Sequence, residues 1–293
     1  MDKGTTLILA EVNQLNDIFF SYFERNNYIT CVIFKRINKL FRLIRRIWLI
    51  NNFPFSYIWY GKWFNELNKY QTVIIYTSKL TRYIPLYINK KYPNLRIINW
   101  YWNTVDNKTL PLETNISKIE YWSFDSNDCI KYNMKRNVQF YCKEESFNVG
   151  YIKNDIYFIG RDKGRRDKIT EFENICKKYN IKYDFNIIYG NEIIPYNEVR
   201  KSIIKSRAIL EINKKNQSGL TLRALESLFY EKKLITDNIL IANYDFYNSD
   251  NIFVLGKDNI NNLPTFISSS YNHSVDVYKN EYSLEKWFNN FNE

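Results

Sequence analysis

The sequence has a single histidine and four cysteines, which leaves little material for a metal site. No two cysteines form a C-x-x-C pair, so the spacing of a structural zinc site is missing. The four are expected to be free thiols in a reducing cytoplasm: Cys31, Cys129, Cys142 and Cys176. No run reaches the ~18 uninterrupted apolar residues of a membrane-spanning helix, and we expect no signal peptide. The chain is therefore predicted to be soluble or peripheral to a membrane.

Two ligand-binding motifs are also missing. No G-x-G-x-x-G follows the first strand expected in the second half, which argues against a classical dinucleotide site. No D-x-D motif clearly demands Mn²⁺ or Mg²⁺, since "DSND" at 125–128 is only a weak match. We therefore expect neither a cofactor nor a bound metal.

Acidic residues are scarce in part of the first half of the chain. The net charge is +11 over 293 residues, a length that suits two domains of roughly 130–150 residues. Residues 1–150 hold 21 Lys and Arg against 12 Asp and Glu, and residues 151–293 hold 21 against 19. A codon bias toward lysine would act on both halves alike. The excess in the first half therefore indicates a cause of its own.

Between Glu24 and Glu66 there is no acidic residue at all. Six of the basic residues in this interval fall within "KRINKLFRLIRR" at 35–46, and apolar residues from Ile33 to Trp48 recur at helical spacing. The pattern predicts an amphipathic helix with a cationic face. Such a helix could pack its apolar stripe into its own domain, or lie on an anionic membrane through residues 33–50. A nucleic-acid groove is a third interpretation, although Ile and Leu outnumber the aromatic side chains that would stack on bases.

The rest of the first half alternates strands and helices. Strands are predicted at 5–10, 72–78 and 95–103, with a helix over 80–93, which favours a parallel α/β sheet. Ligands bind at the carboxyl ends of such strands. The polar or aromatic residues expected near that edge are Glu11, Asp17, Ser78, Trp102 and Asn103.

The second half predicts a second sheet of the same kind. Strands are expected at 155–160, 182–189, 208–212 and 233–236, separated by helices over 167–180, 196–207 and 219–230. This order of strands and helices indicates a Rossmann-like domain.

Two turns of this half carry chemistry suited to an anion. "GRDKGR" at 160–165 ends a strand and opens a helix, where backbone N–H groups favour anions and where Arg161, Lys163 and Arg165 add positive charge. The alternative is a solvated helix cap.

The second turn is "NQSGLTLRALE" at 216–226. Gly219 lets the backbone approach a ligand, and Gln217 and Thr221 offer hydrogen bonds. Arg223 adds a cation, and the Glu226 carboxylate could accept two hydrogen bonds from a ribose diol. Alternatively, Arg223 and Glu226 form only an ion pair within the helix, at i and i+3. Together the two turns describe a site for a nucleoside diphosphate.

These motifs resemble the donor-binding domain of bacterial GT-B glycosyltransferases, in particular the retaining glycosyltransferase family four. There a strand ends in G-R, K-G follows, and E-G-F-G-L-P-x-x-E opens a later helix. This sequence departs from the pattern at Ser218 and Leu222, where the family has glutamate and proline, which leaves the stereochemistry open. A closer resemblance, over about 57–256, is to capsule and lipopolysaccharide glycosyltransferases, through stretches such as "WYWN", "GRDKGR" and "QSGLTLRALE".

The resemblance implies roles for the residues of both turns. The diphosphate would be held by Arg161, Lys163, Arg165, Gly219, Leu220 and Thr221. The ribose would be bound by Glu226, and the donor sugar by Gln217, Ser218 and Arg223. On the acceptor side lie Ser78, Trp102 and Asn103. Asp17 is the first candidate for a catalytic base and Glu11 the second, although Asp17 could instead cap the following helix.

The resemblance also implies an architecture and a function. The fold would be GT-B, with an acceptor domain at 1–147, a donor domain at 148–275 and a helix in 276–293 that returns to the first domain. The enzyme would transfer a sugar from a nucleoside-diphosphate sugar, UDP or dTDP favoured, to a surface polysaccharide or a polyprenyl-diphosphate-linked glycan. We expect it in the cytoplasm, at the inner face of the plasma membrane. The alternative is a non-enzymatic protein that binds nucleic acid or an anionic membrane through its basic half.

Overall fold

The computed structural model describes the chain except for residues 13, 114–115, 144–150, 191, 193, 214–218 and 293, and of residues 14–18 it describes the backbone alone. The chain forms two compact units. Unit 1 comprises Met1–Val138 and Phe288–Glu293, and unit 2 comprises Gln139–Trp287. The boundary between them thus lies earlier in the chain than position 147.

Unit 1 contains a parallel sheet. Its strands are β1 (Thr6–Ala10), β2 (Ile29–Val32), β3 (Thr72–Tyr76), β4 (Arg96–Tyr101), β5 (Ile119–Ser123) and β6 (Lys135–Arg136). Its helices are α1 (Gln14–Arg25), α2 (Lys39–Ile50), α3 (Ile84–Lys91) and α4 (Ser126–Tyr132). Short 3₁₀ helices lie at Lys3–Thr5, Ser56–Trp59, Lys62–Asn65 and Leu67–Lys69.

The strands of unit 1 lie in the order β2-β1-β3-β4-β5-β6, and every pairing is parallel. The central strands "TLILA" and "TVIIY" are buried along their whole length, as strands covered on both faces must be. The polar residues that follow β1, β3 and β4 consequently share one edge of the sheet.

The amphipathic helix is shorter than the sequence predicts. The prediction was wrong for Ile33 and Phe34, which precede the helix and are buried in the core of unit 1. The helix α2 begins only after Asn38, whose side chain caps it by accepting a hydrogen bond from the N–H of Phe41 at 3.0 Å. No helix in the described part of the chain has the length and apolar composition needed to cross a bilayer.

Unit 2 contains the second parallel sheet. Its strands are β7 (Asn154–Arg161), β8 (Tyr183–Ile188), β9 (Ser206–Glu211), β10 (Lys233–Thr236) and β11 (Ile252–Val254). Its helices are α5 (Arg166–Lys178), α6 (Tyr196–Ile204), α7 (Leu222–Tyr230), α8 (Leu263–Ser268) and the start of α9 (Leu284–Asn290). Shorter 3₁₀ helices lie at Ile239–Asn243, Ile260–Asn262 and His273–Tyr282.

The strands of unit 2 lie in the order β11-β10-β9-β7-β8. The chain passes from β7 to β8 on one side and then returns to pair β9 with the other side of β7. The strand order therefore reverses between β7 and β9. In parallel α/β sheets the crevice at the carboxyl ends of such a pair is where ligands bind.

The end of the chain belongs to unit 1. The Phe291 ring lies 5.0 Å from the Trp122 ring and 6.0 Å from the Trp100 ring, measured between centroids. The Arg96 guanidinium donates a hydrogen bond to the Phe291 carbonyl at 2.7 Å. Phe288 packs edge-on against Tyr28 at 4.9 Å. The last residues thus complete a core whose other members come from the start of the chain.

Candidate active site

The turn after β7 is built around Asp162. Its carboxylate accepts hydrogen bonds from the N–H groups of Arg165 at 3.1 Å and Arg166 at 3.0 Å, at the start of α5. Lys163 and Gly164 both have positive φ angles, of 47° and 76°, which closes the turn in a left-handed conformation. The sequence predicts amides open to an anion here, yet Asp162 already accepts from two of them. These two amides are therefore not free to bind an anion.

Arg165 points back over the sheet. Its guanidinium donates to the carbonyls of Ile212 at 2.5 Å, Arg161 at 2.6 Å and Asp162 at 3.2 Å. A Cβ atom on Gly160 would lie 2.7 Å from Arg165 Nη2, so the glycine makes room for this packing. Arg165 consequently joins the end of β7 to the end of β9.

Arg161 and Lys163 are the exposed cations of this turn. The Arg161 guanidinium donates to the carbonyl of Gly190, and also to that of Glu192 at 3.4 Å. It therefore connects the turn after β7 with the loop after β8. Arg161 ends β7 and Lys163 lies in the turn that follows, at the carboxyl edge of the sheet, where the sequence predicts the diphosphate.

The turn after β9 leads into α7. Gln217 and Ser218 lie outside the described residues, while Gly219 and Leu220 are buried. Thr221 caps α7, since its hydroxyl accepts a hydrogen bond from the N–H of Arg223 at 3.0 Å. This cap fixes the point at which the helix begins.

A buried carboxylate that the sequence analysis missed supports this cap. Glu211, the last residue of β9, accepts hydrogen bonds from the hydroxyls of Thr221 and Thr236. Burial raises the pKa of the Glu211 carboxyl, although both hydroxyls oppose that shift. A glutamate at the end of an otherwise apolar strand, "AILE", was the signal that could have identified it.

Arg223 and Glu226 form the intrahelical ion pair that the sequence offered as an alternative. Glu226 is completely buried, and its second carboxylate oxygen accepts a hydrogen bond from the Tyr196 hydroxyl at 2.6 Å. Although burial alone would lower it, the pKa of Arg223 is raised because the Glu226 carboxylate stabilises the charged guanidinium. Arg223 also donates to the carbonyl of Ile159 in β7 at 3.2 Å, so it reaches the same strand as the first turn.

The network continues behind Glu226. The hydroxyls of Tyr196 and Tyr141 lie 2.8 Å apart. Burial raises the pKa of both phenols, so they stay protonated. The sequence gave no sign of either tyrosine, because the contact joins α6 to a residue 55 positions earlier.

In unit 1 the structure brings Glu11 and Ser78 into direct contact. The Ser78 hydroxyl donates a hydrogen bond to the Glu11 carboxylate. Burial raises the pKa of Glu11, while the hydrogen bond from Ser78 and the charge of Arg45 oppose the shift. These two residues follow neighbouring strands β1 and β3, as the sequence predicts.

The other residues predicted for this edge differ in their surroundings. The Trp102 ring packs against Phe19 at 5.2 Å and Tyr76 at 5.5 Å, and Asn103 is exposed. Asp17 lies in the first turns of α1, whose first residue is Gln14, so it does not cap that helix. The side chain of Asp17 is outside the described residues.

A cavity elsewhere in unit 2 fits a donor less well. A cavity of about 510 Å³ lies between α5 and the strand ends, but Glu171, Asp237 and Asp258 line it with Lys168 as the only basic lining residue. This surplus of negative charge disfavours a diphosphate.

Glu231, His273 and Asp276 form the single cluster among the described residues that could hold a metal ion. The Lys279 ammonium ion lies 2.9 Å from the Glu231 carboxylate and 2.7 Å from that of Asp276. It already neutralises these two groups, so nothing in the cluster calls for a cation.

The two parallel sheets place the chain in the GT-B class of α/β folds, as the sequence predicts. In particular it is similar to an α-glucosyltransferase solved in complex with UDP and a 13-mer DNA containing an HMU base, with a TM-score of 0.52 and 12% identity over 98% of this chain and 97% of that one. This likeness shows the fold and not the substrate.

Two further glycosyltransferases have lower scores. An α1,3-fucosyltransferase with GDP has a TM-score of 0.43 and 8% identity, over 94% of this chain and 80% of that one. MurG of Acinetobacter baumannii has a TM-score of 0.38 and 10% identity, over 92% and 83%. No protein-family model and no curated protein matches the sequence.

Proposed function

We propose that the protein is a metal-independent glycosyltransferase of capsule or lipopolysaccharide synthesis. It would move a sugar from a nucleoside-diphosphate sugar, UDP or dTDP favoured, to a hydroxyl of a surface polysaccharide or lipid-linked oligosaccharide. The observation that carries the proposal is a concentration of cations. Two turns at the point of unit 2 where the strand order reverses carry four basic residues, which are Arg161, Lys163, Arg165 and Arg223, and the guanidinium groups of Arg165 and Arg223 both donate to carbonyls of β7.

The electrostatics of this cluster suit a dianion. Burial lowers the pKa of Arg165, and the positive charge of Arg223 lowers it further. An anion placed beside Arg165 would stabilise its charged form against both burial and the charge of Arg223. Arg165 is anchored on three carbonyls, so its role is to position the site, and the exposed Arg161 and Lys163 are assigned the direct contacts with phosphate.

Most of the negative charge that develops during the reaction appears on the diphosphate of the donor. The bond between the anomeric carbon and the diphosphate oxygen breaks, and its electron pair stays on the diphosphate. The acceptor oxygen bonds to the anomeric carbon and releases its proton. Fixed cations stabilise the leaving diphosphate most strongly when it carries the full charge, which lowers the barrier. Arg161 and Lys163 supply here what a divalent metal supplies elsewhere.

The acceptor proton needs a base if the transfer inverts configuration. Asp17 and Glu11 are both candidates, and the described geometry supports Glu11. Its pKa, raised by burial, brings the carboxyl closer to neutral pH, where a general base is most effective. Ser78 orients the carboxylate. Trp102 and Asn103 belong to the same sheet edge and are proposed to contact the acceptor.

Donor binding is proposed to rearrange the ion pair in α7. Glu226 is assigned the ribose diol, but its oxygens are engaged by Arg223 and Tyr196. The ribose hydroxyls would replace the guanidinium on Glu226, and Arg223 would turn to the diphosphate or the donor sugar. The oxygens of Glu226 then accept hydrogen bonds in both states.

A thermal-shift screen with UDP, GDP, dTDP and CMP tests the donor site. We expect one nucleoside diphosphate to raise Tm selectively, since ligand at 100 times Kd stabilises a protein by about 2.7 kcal/mol. In the Arg161→Ala/Lys163→Ala variant that rise should vanish, because each charge-assisted hydrogen bond contributes roughly 1.5–3 kcal/mol. Sugar transfer should be lost with it, and EDTA should leave transfer by the unsubstituted protein unchanged.

The matched control is Lys177→Ala/Lys178→Ala, which removes two exposed cations from the far end of α5. It should keep the full nucleotide response. The proposal is contradicted if the folded Arg161→Ala/Lys163→Ala protein binds the nucleotide and transfers sugar normally. Salt-dependent binding to many polyanions without nucleotide selectivity would support the alternative, a nucleic-acid-binding protein.

A further inference from the structure

A stretch of unit 1 exposes apolar side chains in unusual density. In the helix α2, Leu40 is 65% exposed, Leu43 55% and Ile47 50%. Of the eighteen large hydrophobic residues exposed in the described part of the chain, ten lie between positions 40 and 58. They are Leu40, Phe41, Leu43, Ile44, Ile47, Ile50, Phe53, Phe55, Tyr57 and Ile58. We refer to residues 35–58 as the cationic apolar surface.

The exposed stripe of α2 is on the side away from the protein. Leu49 is the only buried residue of the helix. Leu40 precedes it by nine residues, or two and a half turns at about 3.6 residues per turn, so the two side chains point in opposite directions. Leu43 and Ile47 share the outer face with Leu40. The hydrophobic face of this amphipathic helix is thus turned to the solvent and not to the core.

Polar contacts hold this unusual orientation. Arg45 Nη1 donates to the carbonyl of Lys35 at 2.9 Å, and its guanidinium lies 4.7 Å from the centre of the Phe34 ring. Trp48 Nε1 donates to the carbonyl of Pro54 at 2.9 Å. The inner side of the helix is therefore fixed to unit 1, and the outer side is already arranged for contact.

The loop after α2 extends the same surface. Phe55 is 60% exposed and has a φ of 61°, a left-handed conformation that is rare for a bulky residue. Its neighbours Phe53 and Ile58 are exposed as well. A strained backbone that presents an aromatic ring to the solvent is typical of a residue selected for a contact.

The charge pattern identifies the partner. The basic residues Lys39, Arg42 and Arg46 are exposed along one flank of the stripe, Arg36 is exposed just before the helix, and no acidic residue occurs between Glu24 and Glu66. A second copy of the chain would bring like charges together. Nucleic acid would leave the aliphatic stripe in water. An anionic lipid bilayer takes up both the cations, at its phosphates, and the apolar side chains, at its acyl boundary.

We propose that the cationic apolar surface docks unit 1 on an anionic membrane, with α2 lying in the plane of the interface. Leu40, Leu43 and Ile47 enter the acyl boundary beside Phe55. The basic flank stays at the depth of the lipid phosphates. Docking of this kind uses one amphipathic surface and no membrane-spanning segment.

The surface adjoins the sheet edge that holds Glu11. The N–H of Ile33 donates to the carbonyl of Ala10, the residue before Glu11, at 3.0 Å, and Arg45 of α2 is bound to the carbonyl of Lys35, two residues further along the chain. Docking would therefore bring this edge near the headgroups, where the sugar of a lipid-linked acceptor lies. This last step rests on the proposed glycosyl transfer, whereas docking itself does not.

Vesicle flotation of the full chain tests the docking. We expect binding to phosphatidylcholine vesicles that contain phosphatidylglycerol and little binding to phosphatidylcholine alone. Each arginine near an anionic surface contributes about 1 kcal/mol, so Arg42→Gln/Arg46→Gln should weaken binding about 25-fold at low salt. Leu40→Ser/Leu43→Ser/Ile47→Ser should weaken it at both low and high salt, because acyl contact is not screened.

Two controls carry matched changes elsewhere. Ile130→Ser alters an apolar residue that is 84% exposed in α4, and Lys177→Gln/Lys178→Gln removes two charges in α5. Both should float like the unsubstituted protein. The same variants receive the nucleotide thermal-shift assay, in which the α2 variants should respond normally. A lost nucleotide response with intact flotation would thus count against the proposed enzyme and not against docking.

Four results would overturn the docking proposal. The first is no flotation with phosphatidylglycerol vesicles. The second is unchanged flotation of the triple serine variant, which would reduce the effect to non-specific attraction. The third is binding to an oligonucleotide, weakened by Arg42→Gln/Arg46→Gln, by a protein that ignores vesicles. A change in oligomeric state on serine substitution, with flotation intact, would assign the apolar stripe to a second copy and overturn the proposal too.

Discussion

At the scale of single residues, the carboxylate of Glu211 connects the stability of unit 2 to its candidate active site. It is buried at the end of β9, and its hydrogen-bond donors are the hydroxyls of Thr221 and Thr236. Burial raises its pKa above the ordinary value of 4.5. The protonated form is therefore favoured in the folded state relative to the unfolded state.

This shift predicts a pH dependence. The contribution of Glu211 to the free energy of unfolding is fully present below pH 4.5 and is lost as the pH rises through the raised folded-state pKa. Glu211→Gln cannot ionise, so it should lose less stability than the unsubstituted protein as the pH rises through this range. Urea unfolding across the acidic to neutral range measures the effect. Glu198→Gln, at an exposed glutamate, is the control and should keep the original pH profile.

Single residues also show where sequence reasoning about the site stops. It identified Arg161 and Lys163 at a strand end, because a basic turn after an apolar run can be recognised from the amino-acid sequence alone. It could not show that Asp162 accepts from the first amides of α5, or that Arg165 turns back to Ile212, since a side-chain direction depends on neighbours far along the chain. Whether the predicted contacts with a donor form stays a prediction.

At the scale of elements, the hydrophobic pattern located the central strands to within one or two residues. The run "KLIT" forms β10 at 233–236, as predicted. Short elements without a strong pattern, such as β6 at Lys135–Arg136, were missed. The helical spacing of the apolar residues also led to the wrong prediction that Ile33 and Phe34 belong to α2. Core residues that precede a helix can continue its spacing by chance. Only the Asn38 cap marks the true start of the helix.

The caps themselves provide a prediction. Thr221→Val removes the hydroxyl that caps α7 and also leaves one Glu211 oxygen without its donor. We expect a loss of about 2–4 kcal/mol of unfolding free energy, from a cap of about 1 kcal/mol and an unsatisfied buried acceptor of about 1–3 kcal/mol. Chemical denaturation gives the value.

Asn38→Ala is the comparison, because it removes the cap of the exposed helix α2 and leaves no buried acceptor behind. It should cost only the cap, about 1 kcal/mol. Equal losses for the two substitutions would show that the Glu211 contact adds nothing to the stability of unit 2.

At the scale of the whole molecule, each of the two units has its own parallel sheet, but unit 1 is not contiguous in sequence. Its core includes Phe288 and Phe291, which lie at the far end of the chain from the strands that they cover. Sequence analysis suggested a returning helix only through the resemblance to GT-B enzymes. No local pattern in "EKWFNNF" states which sheet its aromatic residues will meet.

Phe291→Ala should therefore destabilise unit 1. Deleting a fully buried phenylalanine that packs on Trp100 and Trp122 costs about 3–5 kcal/mol. The substitution should lower the Tm of the transition that is reported by the tryptophans of unit 1. Val277→Ala, at an exposed residue of unit 2, should leave that transition in place. If Phe291→Ala leaves the tryptophan transition unshifted, the terminal segment does not belong to the core.

The discontinuity of unit 1 also sets an order of events during synthesis. A ribosome that adds about 5–20 residues per second needs roughly 8–30 seconds to pass from Val138 to the end of the chain. Throughout that interval the nascent N-terminal half lacks two aromatic residues of its core. The half made first therefore cannot complete its core until the whole of unit 2 has been synthesised. Newly made protein should therefore depend on chaperones mainly through its N-terminal half.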